Sequence, residues 1–258
     1  MRGLFDVAGK NVLVTGGSRG IGLMIARGFV EAGATVIISS RKADVCKEAE
    51  TELSRFGTCI AHAADLATDE GIDSLADGTA QIAPSLDVLV NNAGATWGAP
   101  IGEFPGGGFD KVMGVNVKAV FLLTQKLLPQ LRVAASAEDP ARVINIGSID
   151  GLRVSSADNF SYAASKAAVH MLTRQTAAAL AAEHITVNAI APGLFPTKMM
   201  AHALDDDAAR RRMTDKVPLH RTGTPEDIAG TALFLSSRAG AYLTGAVIPV
   251  DGGVSVAK

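Results

Sequence analysis

The sequence predicts an α/β protein in which helices cover both faces of one doubly wound, seven-stranded parallel sheet. Three observations carry this prediction. Seven short β-rich runs alternate with longer helical patterns along the 258 residues, which is the order of repeated βα units. Most of these runs are almost entirely apolar, as strands covered on both faces are. The chain has no repeat, low-complexity tract or linker, so we expect a single domain over residues 1–258.

The predicted strands cover residues 11–15, 35–40, 59–63, 87–91, 142–148, 185–190 and 247–250. Helical patterns fill the intervals, over residues 20–32, 43–55, 69–82, 109–133, 162–183 and 225–237. Neighbouring parallel strands need a crossover connection, and such crossovers are right-handed. This alternation therefore predicts helices on both sides of one twisted sheet.

Segment 194–222 interrupts the alternation of strands and helices. It is long, it has prolines near both ends, and it contains Met199 and Met200. Loop-and-helix segments of this length are often functional, so we expect a mobile substrate lid near residues 194–222. A plain surface excursion is the alternative.

The composition excludes several classes of function. The net charge is −2, so no overall field draws the chain to nucleic acid or to an anionic membrane. No window of about 18 residues is continuously apolar, which predicts no membrane span. The opening residues MRGLFDVAGK lack the apolar part of a secretory signal, and Cys46 and Cys59 form neither a CxxC pair nor a zinc pattern. The five histidines show no metal-ligand spacing either, so we expect a reduced, cytoplasmic protein without a metal.

The stretch VLVTGGSRGIG, residues 12–22, places three glycines where the first strand passes into the first helix. Gly16 permits a tight turn. Gly20 and Gly22 allow a diphosphate to approach the helix N-terminus, where free N–H groups and the helix dipole favour anions. Because the pattern follows a strand and opens a helix, it predicts a dinucleotide site more strongly than an isolated glycine pattern would.

The spacing of these glycines, GxxxGxG, resembles that of the short-chain dehydrogenase/reductase superfamily. The similarity extends over nearly the whole chain. In order, the matching segments are TGGSRGIG at 15–22, NNAG at 91–94, Asn116, INIGS ending at Ser148, YAASK at 162–166, NAIAPG ending at Gly193, and YLTGAVIPVDGG at 242–253. The resemblance implies a Rossmann-type fold and a nicotinamide-dependent oxidoreductase.

The end of the second predicted strand indicates which dinucleotide binds. An enzyme that uses NAD carries an acidic residue here for the ribose 2′-hydroxyl, whereas NADP requires a cation for its 2′-phosphate. By the family match, Ser40 stands in the place of the acid, Arg41 follows it, and Arg19 lies in the glycine turn. Guanidinium groups suit phosphate geometrically, so the predicted cofactor is NADPH/NADP+. The alternative is that both arginines are solvated surface residues.

Further cofactor contacts are implied by the resemblance. Asp65 looks like the family's adenine contact, and Asn91 and Gly94 look like the turn that lies along the adenosine half of the cofactor. For Asn91, a structural role in fixing the strand ends is an equal alternative to ligand contact. The segment APGLFPT resembles the part that contacts the nicotinamide amide, but Phe195 and Pro196 depart from the residues common there. The predicted cofactor-binding residues are Gly16, Ser18, Arg19, Gly20, Ile21, Gly22, Ser40, Arg41, Asp65, Leu66, Asn92, Ala93, Gly94, Tyr162, Lys166, Pro192, Gly193 and Thr197.

The predicted catalytic residues are Asn116, Ser148, Tyr162 and Lys166. Tyr162 and Lys166 are four residues apart and share one helix face. A neighbouring ammonium favours the phenolate, so we expect it to lower the pKa of Tyr162 and make this residue a proton donor and acceptor near neutral pH. Ser148 is predicted to hold the substrate oxygen. The resemblance implies that Lys166 also binds the nicotinamide ribose and that Asn116 holds a water that relays protons.

The chain is most similar to the β-ketoacyl reductase branch, including its rhamnolipid-pathway type. The segments that suggest this type are ATWGAPI, ASAEDPARVINIGS and AEHITVNAIAPGLFPT. Members that act on acyl carrier proteins carry a basic residue where this chain has Glu183, which leaves Arg132 and Arg174 as partners for an acidic carrier. A CoA thioester or a free β-keto ester is therefore an alternative substrate. Asp150 also departs from the family, and we expect it to pair with Arg153 rather than to line the substrate site.

Two other functions stay open. A polyol or sugar-acid dehydrogenase of the gluconate type shares every cofactor and catalytic motif, but an apolar lid favours an acyl chain. The residues of that predicted apolar wall are Leu194, Phe195, Met199, Met200 and Leu204. A nucleotide-sensing or interaction protein on the same scaffold is the alternative that is not an enzyme. The resemblance also implies a homotetramer built through the helices near 109–133 and 162–183 and the last strand.

Overall fold

The computed structural model describes residues 3–197 and 207–257, and all of their side chains except those of 207–210. Within this part, seven parallel strands form one sheet in the order β3-β2-β1-β4-β5-β6-β7. The strands are β1 (Asn11–Thr15), β2 (Thr35–Ser40), β3 (Cys59–Ala63), β4 (Val88–Asn91), β5 (Ala141–Ile146), β6 (Ile185–Pro192) and β7 (Val247–Val250). The predicted doubly wound sheet is thus confirmed.

Helices connect the strands. They are α1 (Gly20–Glu31), α2 (Ala43–Leu53), α3 (Asp69–Ile82), α4 (Gly106–Met113), α5 (Ala119–Lys126), α6 (Leu128–Ala134), α7 (Phe160–Leu180), α8 (Asp207–Thr214) and α9 (Pro225–Ser236). The single helix predicted over 109–133 is wrong, because a π-helical turn at Gly114–Lys118 follows α4 and a break at Leu127 precedes α6. Pro129 lies in the first turn of α6, where its missing N–H is tolerated.

The two faces of the sheet bury separate apolar clusters. Val12 and Val14 of β1 belong to one cluster together with Phe29 of α1, whereas Leu13 belongs to the other together with Leu123 of α5. Successive strand residues point to opposite faces. A strand covered on both faces must therefore be apolar at every position, which explains the continuous runs in the sequence.

The strand order places a topological switch at β1, because β2 lies on one side of it and β4 on the other. Connections from these strands leave in opposite directions, so a crevice opens beyond their carboxyl ends. The predicted site residues follow the first six strands, β1 to β6, and they gather along this edge. No helix within the described ranges is both long and apolar enough to cross a membrane.

Three boundaries near this edge differ from the prediction. Strand β5 ends at Ile146, and Ser148 instead caps a 3₁₀ turn (Ile149–Gly151) because its hydroxyl oxygen accepts the Asp150 N–H. Helix α7 begins two residues before Tyr162. Strand β6 ends at Pro192, two residues beyond the predicted end. At the opposite edge of the sheet, His184 has φ 56° and forms the left-handed turn before β6.

Candidate active site

The glycine turn after β1 forms a cradle at the N-terminus of α1. Gly16 and Gly20 have φ of +65° and +55°, which side chains with a Cβ rarely adopt. A Cβ on Gly22 would lie 2.3 Å from the Gly16 carbonyl oxygen. No side chain caps α1, and its first turn contains no acidic residue. The helix N–H groups can therefore bind an anion, and the cradle fits the diphosphate of a dinucleotide.

Thr15 and Asn92 join the end of β4 to this turn. The Thr15 hydroxyl oxygen accepts the N–H groups of Asn92 and Ala93 at 2.9 and 3.0 Å. The Asn92 amide donates to the carbonyl oxygens of Thr15 and Gly16 at 2.9 and 3.2 Å. Thr15 was not among the predicted residues, although a polar residue closing an apolar strand is a signal that could have found it. Asn92 and Ala93 thus shape the cradle whether or not they touch a ligand.

The ends of β2 and β3 lie beside the cradle. The Gly17 N–H donates to Ser39 O at 3.1 Å, and the Ala64 N–H donates to Ser40 O at 3.1 Å. Arg19 lies two residues after Gly17, and Arg41 lies two residues after Ser39. Both arginines are exposed. Within the described side chains neither arginine has an ion-pair partner within 4 Å. Two free cations therefore border one place at the end of β2.

The other predicted contacts near this border are placed as follows. Asp65 is exposed, and one of its carboxylate oxygens accepts the Ala67 N–H at 3.1 Å. Ser18 and Leu66 are buried, whereas Ile21 is partly buried and packs on the first core cluster. The side chains of Ser18 and Leu66 consequently support the turn, while Asp65 is open to a ligand.

The chain after β6 returns to the glycine turn. Gly193 donates its N–H to Val250 O at 2.9 Å, directly after Pro192 ends β6. Thr197 Cγ2 lies 3.4 Å from the position of a Cβ on Gly20. The structure thus brings the segment predicted to contact nicotinamide against the segment predicted to contact the diphosphate.

Residues 198–206 of the predicted lid lie outside the described residues, among them Met199, Met200, His202 and Leu204. Within the described part, Phe195 packs in the core instead of standing exposed on an apolar wall. Phe195 is 3% exposed, belongs to the first core cluster and packs where a Cβ on Gly223 would lie. It anchors the segment to the body of the protein, because burying a phenyl ring in the core is more favourable than exposing it at a groove.

Ser148, Tyr162 and Lys166 lie together beyond the end of β5. The Lys166 ammonium donates to Ile146 O at 2.7 Å and lies 5.5 Å from the centre of the Tyr162 ring. Ser148 and Lys166 are buried, whereas Tyr162 is partly exposed. One helix face and one strand end therefore present a hydroxyl, a phenol and an ammonium to the same crevice.

The pKa of Tyr162 is raised, opposite to the prediction from its lysine neighbour. Burial is the largest cause, hydrogen bonding by Ser148 lowers the pKa, and the charge of Asp150 raises it. The Lys166 ammonium points to the Ile146 carbonyl, so it does not offset the burial of the phenol. Burial also lowers the pKa of Lys166 from 10.5 to about 8. In the protein alone, Tyr162 is consequently a protonated phenol at neutral pH.

This pKa of Lys166 predicts how stability depends on pH. Between pH 8 and 10.5 the unfolded chain holds the Lys166 proton and the folded chain releases it, so the free energy of unfolding rises with pH. The contribution amounts to about 3 kcal/mol. Urea unfolding at a series of pH values should show that Lys166→Met lacks this rise, whereas Lys216→Met, at an exposed lysine, keeps it. Equal pH slopes in both variants would contradict the prediction.

Asn116 lies in the π-helical turn and is 1% exposed. Its side-chain oxygen accepts the Ala95 N–H at 2.8 Å, and its amide donates to Ala95 O and to the Ser165 hydroxyl, both at 2.9 Å. Ser165 in turn donates to Tyr162 O at 2.7 Å. Asn116 thus joins the loop after β4 to the helix of Tyr162, and its predicted proton relay stays a prediction. Ser165 was missed, although it lies inside YAASK.

The question left open for Asn91 is answered by a buried polar network. Its amide donates to Thr124 Oγ1 at 3.1 Å and to Asn145 Oδ1 at 2.9 Å, and Asn145 donates to Thr173 Oγ1 at 2.9 Å. These bonds tie β4 and β5 to α5 and α7, so the structural role is the one observed. Gly94 lies on the other side of this turn, where a Cβ would be 3.3 Å from Asn116 Oδ1.

Two predicted charge contacts are resolved by the structure. Arg132 forms a bidentate ion pair with Glu183, at 2.5 and 3.1 Å, and is therefore engaged within the chain.

The predicted pair of Asp150 and Arg153 is wrong. The Asp150 carboxylate accepts instead from Ser155 Oγ and Asn159 Nδ2 at 3.2 and 3.1 Å, because both donors lie on the loop that faces it.

A dinucleotide cradle at the switch point of a parallel sheet, with a serine, a tyrosine and a lysine beside it, defines a nicotinamide-dependent α/β oxidoreductase. The chain belongs to the short-chain dehydrogenase/reductase family. A family model described as "Enoyl-(Acyl carrier protein) reductase" matches residues 16–255.

Full-length relatives include two with different substrates. The rhamnolipids biosynthesis 3-oxoacyl-[acyl-carrier-protein] reductase of Pseudomonas aeruginosa is 49% identical over 253 residues, covering 98% of this chain and 99% of that protein. The 5-keto-D-gluconate 5-reductase of Escherichia coli K12 is 37% identical over 258 residues, covering 100% of both. The solved Pseudomonas aeruginosa RhlG/NADP active-site complex superposes with a TM-score of 0.96 at 48% identity, covering 99% of this chain and 100% of that one.

Proposed function

We propose that the protein reduces the keto group of a 3-oxoacyl thioester to a secondary alcohol with NADPH. The observation that carries this proposal is the joint placement of Ser148, Tyr162 and Lys166 at the crevice edge, beside a glycine cradle bordered by two free arginines. The 49% identity to a 3-oxoacyl-[acyl-carrier-protein] reductase supports the substrate class, and a relative of similar fold solved with NADP supports the cofactor.

The glycine cradle would hold the diphosphate of NADPH on the N-terminus of α1. Arg19 and Arg41 would bind the 2′-phosphate, because no ion pair within the described side chains engages either guanidinium. Thr197 and Gly193 would contact the nicotinamide end, and Asp65 the adenine end. When bound there, the cofactor supplies the hydride for the substrate carbonyl carbon.

Tyr162 acts as the proton donor in this mechanism. Its raised pKa keeps the phenol protonated at neutral pH, which is the form that donates to the developing alkoxide. Ser148 donates a hydrogen bond to the same oxygen, since its own oxygen already accepts the Asp150 N–H. Lys166, with a pKa of about 8, would supply the proton that restores the phenol, and because its ammonium lies 5.5 Å from the centre of the Tyr162 ring this transfer requires a bridging group. We propose that Asn116 takes part in this relay through a bound water.

The role proposed for Arg41 predicts a change in cofactor preference. Arg41→Ala is expected to raise the KM for NADPH by about 10-fold or more while the KM for NADH stays within about twofold, because a charge-assisted bond to the phosphate contributes roughly 1.5–3 kcal/mol. Steady-state kinetics with both cofactors measures this. Arg55→Ala, at an exposed arginine after α2, is the matched control. Equal changes of the two KM values would count against the assignment.

The substrate is tested by comparing kcat/KM for acetoacetyl-CoA, a 3-oxoacyl carrier protein, a β-keto ester, 5-ketogluconate and a 2-enoyl thioester, with NADPH and NADH. A 3-oxoacyl thioester should give the highest value with NADPH. The enoyl thioester is included because the matching family model carries that description. Tight NADPH binding without turnover of any of these compounds would favour a nucleotide-sensing protein.

A sugar-acid reductase is the second candidate. The 5-keto-D-gluconate 5-reductase of Escherichia coli spans the entire chain at 37% identity. An apolar wall on the lid would favour an acyl chain over a sugar. Because Phe195 is buried, that predicted wall has one exposed residue fewer. Higher kcat/KM for 5-ketogluconate than for every thioester would establish this second function.

We propose a CoA thioester or an acyl carrier protein as the form of the acyl substrate, with CoA favoured. The ion pair of Arg132 and Glu183 neutralises the cation that an acidic carrier would otherwise meet. Arg174 remains for such a contact. The ratio of kcat/KM for the two thioesters in the panel above decides between them.

We propose further that the protein is a single-domain homotetramer of the cytoplasm with a lid near 194–222. Large apolar side chains are exposed on the helices predicted to assemble, namely Phe109, Phe121, Phe160 and Met171. Burying such side chains between subunits is favourable.

Two free buried thiols, Cys46 and Cys59, accord with a reducing compartment such as the cytoplasm.

A further inference from the structure

Asp150 contacts Ser148 through its main chain. It lies in the 3₁₀ turn that follows Ser148, and its N–H donates to the Ser148 hydroxyl oxygen at 3.1 Å. Because the oxygen accepts this bond, the hydroxyl proton stays available as a donor. The conformation of the turn therefore restricts the directions in which Ser148 can present its proton.

The side chain of Asp150 contacts the approach to α7. Its Oδ2 accepts from Asn159 Nδ2 at 3.1 Å and from Ser155 Oγ at 3.2 Å. Asn159 immediately precedes α7, and Tyr162 lies three residues further on. Ser155 Oγ also accepts the Ala157 N–H at 3.2 Å. One carboxylate oxygen thus holds the loop of residues 152–159 at two points, one of them at the start of the helix that carries Tyr162.

No cation accounts for the presence of this carboxylate. Among the described side chains, Asp150 has no ion-pair partner within 4 Å. Its side-chain bonds go to neutral donors of the loop, and hydrogen bonds to a charged group are stronger than those between neutral groups. The residue is partly buried between the two segments that it joins.

We propose that Asp150 is a positioning residue, which joins the turn carrying Ser148 to the N-terminus of the helix carrying Tyr162. It thereby fixes the spacing of the two groups that meet the substrate oxygen. This inference rests on the proposed function, because spacing affects the rate only if both groups act on one oxygen. A misplacement of about 1 Å between reacting groups can cost roughly 10²-fold in rate.

Three variants test the proposal by steady-state kinetics with the best thioester. Asp150→Ala should lower kcat by about 10- to 100-fold, while the KM for NADPH stays unchanged because the cofactor cradle lies elsewhere. Asp150→Asn should restore kcat to within a few-fold of the unmodified protein, since its amide oxygen still accepts both bonds. Asp158→Ala removes an exposed carboxylate from the same loop and should leave kcat unchanged. An unchanged kcat in Asp150→Ala, or an equal loss in Asp150→Asn, would overturn the proposal.

A second measurement does not depend on turnover. Amide hydrogen exchange of residues 155–163 should accelerate in Asp150→Ala and in Asn159→Ala, which removes the donor instead, but not in Asp158→Ala. The double variant, with Asp150→Ala and Asn159→Ala together, should exchange no faster than Asp150→Ala, because the two changes break the same contact. Unchanged exchange in both single variants, or additive effects, would refute the contact. Absence of turnover in the unmodified protein would count against the proposed function alone, since the exchange result is obtained without substrate.

Discussion

Tyr162→Phe is expected to lower kcat for ketone reduction by about 10² to 10⁴-fold, the usual contribution of a general acid. The change removes one hydroxyl and keeps the ring that lies 5.5 Å from the Lys166 ammonium. The Kd for NADPH should therefore stay within about twofold, because the phosphate cradle is formed by residues 16–22. Single-turnover kinetics and a fluorescence titration of NADPH measure the two quantities separately.

Tyr242→Phe is the matched control for this prediction. Tyr242 is the other tyrosine of the chain, and its side chain is fully exposed. The same chemical change at this position should leave kcat and NADPH binding unaltered. Retention of more than a few per cent of activity in Tyr162→Phe would reject Tyr162 as the proton donor.

Gly22→Ala is expected to reduce both stability and cofactor binding. The added Cβ would lie 2.3 Å from Gly16 O and 2.4 Å from Asn92 Nδ2. Since backbone at the turn must move, we expect the free energy of unfolding to fall by about 1–3 kcal/mol, as for an overpacked core. The Kd for NADPH should rise by 10-fold or more, because the displaced turn is the proposed diphosphate cradle. Urea unfolding and the NADPH titration are the measurements.

Gly230→Ala separates this clash from helix propensity. Gly22 and Gly230 lie inside α1 and α9, but a Cβ on Gly230 would meet no atom within 4 Å beyond its own stretch of helix backbone. Alanine at that exposed position should raise the free energy of unfolding by about 0.5–1 kcal/mol, because glycine is the poorer helix former. If both variants gained stability, the close approach at Gly22 would be disproved.

The sheet was predictable because strands buried on both faces leave a continuous apolar signal. Strands β1, β2, β3 and β7 begin and end at the predicted residues. The errors occur where one local contact stops an element. At Ser148 the hydroxyl starts a turn, and near Asn116 a π-helical turn divides a pattern that looks like one long helix. Neither event changes the apolar periodicity, so periodicity could not locate it.

Much of the candidate site was also predictable, because its residue types follow strand ends at fixed places in the chain. The i, i+4 spacing puts Tyr162 and Lys166 on one helix face in any α-helix. Which other side chains reach that face depends on distant segments. The contacts of Asn116 with Ala95 and Ser165 span 21 and 49 residues, and neither spacing has a local signal.

The sequence by itself determined the parallel α/β sheet, the glycine cradle and the order of the candidate catalytic residues, because each follows from local conformational preference and burial. The tertiary structure alone decided the direction of the Tyr162 pKa, the engagement of Arg132 by Glu183 and the partners of Asp150. Desolvation and hydrogen bonding depend on every group that surrounds a side chain in space. Folding brings those groups together from segments that are far apart along the chain, and no local sequence pattern indicates that these segments will meet.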